Sequence, residues 1–204
     1  MKSFGSLFAP LVPHSLRERV VLVSGAALAL VVLLLDQGTK LWVVVALDER
    51  IPIIPGLLDF SRVRNPGAAF GMLSGQTWLL LAVALLAFLA ILFFFYELTE
   101  CYPERYFALL LVLSGILGNS IDRLWRPDGK VVDFIHVHYR DVWHYPVFNI
   151  ADMAICVGVG VFVLSCFIRP DKKKSEKAPG DKPKRFRLFR SDKKSDASEK
   201  DEDR

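Results

Sequence analysis

The chain has 204 residues, of which 52% are hydrophobic and 24% charged, with a formal net charge of +4. A mean hydropathy of +0.34 is too apolar for an ordinary soluble domain. From Arg169 onward nearly every second residue is ionisable, whereas long stretches between Val20 and Ile168 carry almost no charge. The basic balance therefore describes a tail, and no nucleic-acid partner is expected. Residues 1–170 read as one membrane domain and residues 171–204 as a disordered, charged tail. Of the three cysteines, Cys156 and Cys166 fall in one apolar segment, where a free thiol behaves as a small hydrophobe. Neither a cysteine nucleophile nor a disulfide is expected.

A hydrocarbon core about 30 Å thick takes roughly 20 apolar residues to cross as a helix. Four segments meet or approach that length, so the expected fold class is mainly α, with four transmembrane helices. Residues 20–46 form the first, interrupted by Asp36 and Lys40, and residues 78–96 the second, which is uncharged. The third, residues 106–121, ends at Asp122-Arg123, and the fourth, residues 153–168, runs from Asp152 to Arg169-Pro170. The first is too long for the apolar region of a cleaved signal peptide, and no small-residue cleavage motif follows it.

Lysine and arginine set the expected orientation. Lys2, Arg17 and Arg19 precede the first span, and Arg169, Lys172, Lys173, Lys174 and Lys177 follow the fourth. Both termini are thus expected in the cytoplasm. Trp42, Trp78, Trp125 and Trp143 fall near the opposite face, as an interfacial aromatic belt would. Residues 47–77 and 125–151 then face outward. Within 130–139, Val131, Asp133, Ile135, Val137 and Tyr139 alternate with Val132, Phe134, His136 and His138, which is the pattern of a short strand. The turn-rich segment with Pro52, Pro55 and Asn65-Pro66-Gly67 is its candidate pairing partner.

Ionisable groups inside spans are costly and are functional candidates. At about 1.5 Å per helical residue, Asp36, Asp122 and Asp152 each lie roughly 24–25 Å from the cytoplasmic end of their helices. Three acids on three helices therefore share one depth. Asp36 and Lys40 stand i, i+4 and can neutralise each other, and Arg123 follows Asp122 as a candidate partner. Asp133 and Asp152 have apolar neighbours and, apart from Lys130 on a separate turn, no such cation. Two carboxyls brought together in an apolar setting share a proton and can serve as general base and general acid. Asp133 and Asp152 are the candidate catalytic pair; a capping role for Asp152 at the start of its helix is the plainer alternative. Gly115 and Gly118 are expected to let the third span pack closely.

Five blocks carry a family resemblance: Asp36-Gln-Gly-Thr-Lys40, Asn65-Pro-Gly-Ala-Ala-Phe-Gly71, Gly115-Ile-Leu-Gly-Asn-Ser-Ile-Asp-Arg123, Val131-Val-Asp-Phe-Ile135 and Phe148-Asn-Ile-Ala-Asp152. In sequence and order they resemble the lipoprotein signal peptidases (signal peptidase II), over about residues 16–169. The resemblance implies an aspartyl dyad at Asp133 and Asp152. It implies a substrate groove lined by Asn65, Asn119, Arg123 and Asn149, with Asp36, Lys40, Asp122, Gly115 and Gly118 supporting it. It also implies a small extracytoplasmic sheet and a surface helix, and no metal or cofactor. The implied substrate is a prolipoprotein already carrying diacylglyceryl on its lipobox cysteine, cut just before that residue. Membrane lipid and globomycin-like cyclic peptide inhibitors are the further partners it implies.

Two rivals compete with this reading. A metal-dependent hydrolase would use His136, His138 and His144, two of which share a strand face, although no H-E-x-x-H is present. Exposed interfacial histidines are the plainer account. A proton-coupled transporter would use the intramembrane acids as a relay, but these cluster at one face and residues 78–96 carry no polar path.

Overall fold

The computed structural model describes residues 15–68, 72–100, 102–140 and 142–169; the charged tail and the first fourteen residues lie outside them. Helix α1 (Leu16–Ala46) is followed by strands β1 (Ile51–Ile54) and β2 (Leu58–Asn65) and by helix α2 (Thr77–Phe93). A short helix α3 (Phe95–Thr99) leads into α4 (Pro103–Trp125), strands β3 (Val131–Tyr139) and β4 (Trp143–His144), and the last helix α5 (Ile150–Ile168).

Three helices, α1, α4 and α5, are long and apolar enough to cross a membrane, with mean hydropathies of 2.3, 1.5 and 2.3 over their most apolar windows. Ser15 caps α1 by accepting from the Glu18 backbone N–H, and Pro103 opens α4 at a position where no backbone N–H is needed. Helix α2 is equally apolar but has 17 residues, so the expected fourth span is shorter than residues 78–96. The chain breaks at Phe94. This break turns Phe95 inward onto Tyr106, with ring centroids 5.5 Å apart, while Phe93 and Phe94 stay exposed. None of the residues of α2 is buried, and its main protein contact is with α4. A helix apolar on all sides and unburied by protein suits a lipid environment.

Helix α4 is the hub. It packs most extensively on α5 and next on α1. Close approach depends on glycine: a Cβ at Gly115 would stand 2.4 Å from the Ala151 carbonyl oxygen, and one at Gly118 would stand 2.6 Å from Asp36 Oδ2. The packing role expected of both glycines holds.

The strands form one antiparallel sheet in the order β1-β2-β3-β4. The expected pairing of the first outward segment with β3 is present, with Val63 opposite Asp133 and Asn65 opposite Val131. One face of β3 supplies Val132 and Phe134 to a core with Val43 of α1 and Leu47 just after it, which fastens the sheet to the end of that helix. The alternating face carries Asp133 the other way. Among the described residues between β2 and α2 there is no helix, so the expected surface helix is absent from them; residues 69–71 lie outside the described set.

Candidate active site

Asp36, Asp122 and Lys40 meet where α1 and α4 cross. Lys40 Nζ lies 2.9 Å from Asp36 Oδ2 and 2.9 Å from Asp122 Oδ2, and it donates to Asn119 Oδ1 at 3.0 Å. All three ionic side chains are at most 1% exposed. The i, i+4 spacing of Asp36 and Lys40 made the first contact readable from sequence. The second needed the helix packing.

Asp36 and Asp122 also have work besides the ammonium. Asp36 Oδ1 accepts from the Ala151 backbone N–H at 2.9 Å, joining α1 to the first turn of α5. Asp122 Oδ2 accepts from the Val132 N–H at 3.2 Å, joining α4 to β3. Arg123 is not the partner of Asp122, contrary to expectation. Arg126 Nε donates to Asp122 Oδ1 at 2.7 Å, because one further helical turn brings i+4 onto the same side. Arg123 turns the opposite way, and its guanidinium donates to the Gly67 carbonyl at 2.8 Å and to the Asn119 carbonyl at 3.3 Å.

On this ionic base stands a second layer of amides and acids. Asn149 is the N-cap of α5: its side-chain oxygen accepts from the Asp152 N–H at 2.9 Å, and Asp152 Oδ2 accepts from the Asn149 N–H at 3.1 Å. The plainer role considered for Asp152, a cap, is therefore real. It does not exhaust the residue, because Asp152 Oδ1 accepts from Asn119 Nδ2 at 2.8 Å and the side chain faces a cavity. Asn149 Nδ2 in turn donates to Asp133 Oδ1 at 2.6 Å, so one asparagine touches both acids. Asn65, diagonal to Asp133 across the β2–β3 ladder, donates to Asp133 Oδ2 at 2.8 Å. Asn65 Oδ1 accepts from the Gly67 N–H at 2.9 Å, which fixes the amide's orientation.

Asp133 is 2% exposed. Burial, and then the charge of Asp152, push its carboxyl up to about 7, against the lowering effect of its amide donors. Asp133 and Asp152 line one cavity of about 500 Å³ together with Asn65, Asn119 and Arg123. Apolar side chains complete the wall, from Val131 and Phe148 to Met153 and Ile155 on the first turns of α5. Asn149 lies behind both acids, fully buried. Two carboxyls with one apolar cavity, one of them inclined to keep its proton near neutrality, form a group able to deprotonate a water and polarise a carbonyl.

The family model for signal peptidase (SPase) II matches residues 28–168. The chain belongs to the signal peptidase II family. The lipoprotein signal peptidase of Halalkalibacterium halodurans is 42% identical over 154 residues, covering 73% of this chain and 95% of that protein. That of Cellvibrio japonicus is 40% identical over 154 residues, covering 73% and 89%. A bacterial membrane enzyme solved by the in meso method superposes with a TM-score of 0.66 at 30% identity, over 76% of this chain and 92% of that one. A second such enzyme gives 0.61 at 31% identity, over 70% and 91%. Signal peptidase II membership makes the chain a protease of the membrane-enzyme kind.

Every one of the eleven site residues read from the sequence falls in or directly beneath this one cluster. Sequence reasoning missed Arg126, although the i, i+4 rule applied to Asp36 and Lys40 would have found it. It also missed Gln37, whose amide bridges Asp36 Oδ2 at 3.0 Å and the Gly118 carbonyl at 3.1 Å. The segment Tyr145, Pro146, Val147 and Phe148, which walls the cavity, gave no periodic signal because it is an irregular connection.

Proposed function

We propose that this chain is a membrane aspartyl endopeptidase that removes signal peptides from diacylglyceryl-modified prolipoproteins, cutting just before the lipidated cysteine. The observation that carries the reading is the convergence of Asp133 and Asp152 on one apolar-walled cavity in a signal peptidase II chain. One carboxylate takes a proton from a water whose oxygen attacks the scissile carbonyl. The other, protonated, donates to the carbonyl oxygen as it gains charge. Collapse of the tetrahedral intermediate breaks the C–N bond, and the cysteine amine leaves with a proton from the pair.

The neighbouring residues have roles in this scheme. Asn65, Asn119 and Asn149 hold the acids in position by the hydrogen bonds described, and Arg123 stands at the cavity wall with donors for substrate carbonyl or ester oxygens. Asp36 and Asp122, balanced by Lys40 and Arg126, support the floor. Met153, Ile155 and Cys156 continue from Asp152 along α5, and their apolar surface suits an acyl-bearing substrate. In this reading α2 is the fourth span, both termini are cytoplasmic, and the cavity lies near the outer face of a bacterial cytoplasmic membrane. The exposure of Trp42, Trp78, Trp125 and Trp143 supports that placement of the interface. Globomycin-like cyclic peptides would inhibit by filling the same cavity.

The test is cleavage by the purified enzyme of a diacylglyceryl-modified prolipoprotein, beside the same protein without lipid. The reading expects one cut before the modified cysteine and little or none in the unlipidated protein. Equal cutting of both would remove the lipid requirement.

A further inference from the structure

Three histidines outside the candidate active site gather on the other face of the sheet. His136 and His138 follow each other on β3, and His144 stands beside them on β4, opposite His138 in register. Their rings lie nearly parallel, with centroids 5.0 Å apart for His136–His138 and 5.3 Å for His136–His144. His144 is exposed, as the plainer account of interfacial histidines expected, but His138 is buried and His136 is half-buried. Asp59 of β2, itself buried, is the register partner of His136.

The outer nitrogens of both β3 histidines are already committed. His138 Nδ1 lies 2.8 Å from the Arg140 carbonyl oxygen and can only donate to it, so the tautomer it fixes leaves Nε2 as a lone pair. His136 Nε2 lies 3.3 Å from His144 Nδ1, and the tautomer in which His136 is the donor leaves its Nδ1 free to ligate. Both remaining nitrogens stand near Asp59: His138 Nε2 is 2.6 Å and His136 Nδ1 4.0 Å from Asp59 Oδ2. A backbone carbonyl or a further polar group on the outer nitrogen is how metal-binding histidines are oriented. Ligand atoms at the corners of a zinc tetrahedron stand about 3.3 Å apart for bonds of about 2.0–2.1 Å, and the two separations here bracket that edge.

A cation already satisfies part of this cluster. Arg50 pairs with Asp59, and its guanidinium, which can only donate, lies 2.9 Å from His138 Nε2. Arg50 is 46% exposed, so it can withdraw into solvent without unpacking a core.

We propose that Asp59, His136 and His138 form a zinc-binding site, with Arg50 occupying the position of the metal in its absence. One carboxylate and two imidazoles, with a water in the fourth position, match the ligand preferences of that ion. The site is separate from the proposed peptidase chemistry. It would tie β2 to β3 and, through His144, hold β4, the strand that leads into the Tyr145–Phe148 wall of the active-site cavity.

The full untagged chain in detergent micelles, titrated with zinc against a chromophoric chelator and with magnesium as control, decides the matter. The proposal expects one saturable zinc equivalent and none of magnesium. It expects at least a tenfold loss of affinity in His138→Gln and in Asp59→Asn, and affinity kept or raised in Arg50→Ala, which removes the competing cation. Absence of saturable zinc uptake by the wild-type chain would overturn it. So would uptake that survives the double variant His136→Ala/His138→Ala, or uptake lost in Arg50→Ala.

Discussion

Asp133 is held by two amide donors and faces a second acid across a cavity, and its charged form is opposed by burial and by Asp152. Raised to about 7, it keeps a proton through the range in which an ordinary aspartate has lost it. Chemistry by a proton-sharing pair needs one proton on the pair, and the apparent constants belong to both residues together. Raising pH through about 7 removes that last proton. Cleavage rate per inserted molecule should therefore fall as pH rises above about 7, approaching tenfold per unit. A rate flat to pH 9 would show that no acid of this kind takes part. Lys40 offers a different test. With no exposure and two carboxylates at 2.9 Å, its replacement leaves Asp36 buried without a cation and Asp122 with Arg126 alone. Breaking a buried pair in this way costs about 3–5 kcal/mol. Lys40→Met should lower the thermal unfolding midpoint in detergent by several degrees and lose activity with it, whereas an unchanged midpoint would mean that Lys40 does not hold this layer together.

The helices explain how three chains of polar residues come to one level. Equal depths along α1, α4 and α5 were legible because helical rise is uniform, and the i, i+4 rule gave the Asp36–Lys40 contact. The strand at β3 was legible from its period of two, and the face it presents follows from Val132 and Phe134 packing on α1. What was hidden depended on packing between elements. Lys40 reaches Asp122 only because α1 and α4 cross closely, and His138 meets Asp59 and Arg50 only through the pairing of β3 with β2. The break at Phe94 was equally hidden, since an uninterrupted apolar run carries no stop signal. Glycine marks the close crossing. Gly115→Ala should destabilise by about 1–3 kcal/mol, as overpacking does, because its Cβ would meet the Ala151 carbonyl oxygen at 2.4 Å. Gly38, with nothing within 4 Å of its Cβ position, is the control. Gly38→Ala should leave the unfolding midpoint unchanged or slightly raised, and equal losses in both variants would contradict the packing account.

At the scale of the whole molecule, the proposed orientation puts the active-site cavity and the charged C-terminal segment on opposite sides of the membrane. Helix α5 separates Asp152 from Arg169 by about 25 Å at the helical rise. Deletion of residues 171–204, with Arg169 retained, should leave cleavage per inserted molecule unchanged, and a reporter fused after residue 170 should read as cytoplasmic. A correctly inserted truncation that binds substrate without cutting it would contradict the orientation. The central claim concerns the two acids themselves. The measurement that reaches it most directly is cleavage of a lipidated prolipoprotein by wild type, Asp133→Asn and Asp152→Asn, each purified, folded and matched for amount. The account predicts that both variants bind substrate and neither cuts it, since one carboxyl cannot be base and acid at once. Retention of more than about a few per cent of wild-type activity by either variant, well above the loss general acid–base catalysis entails, would remove that aspartate from the catalytic pair.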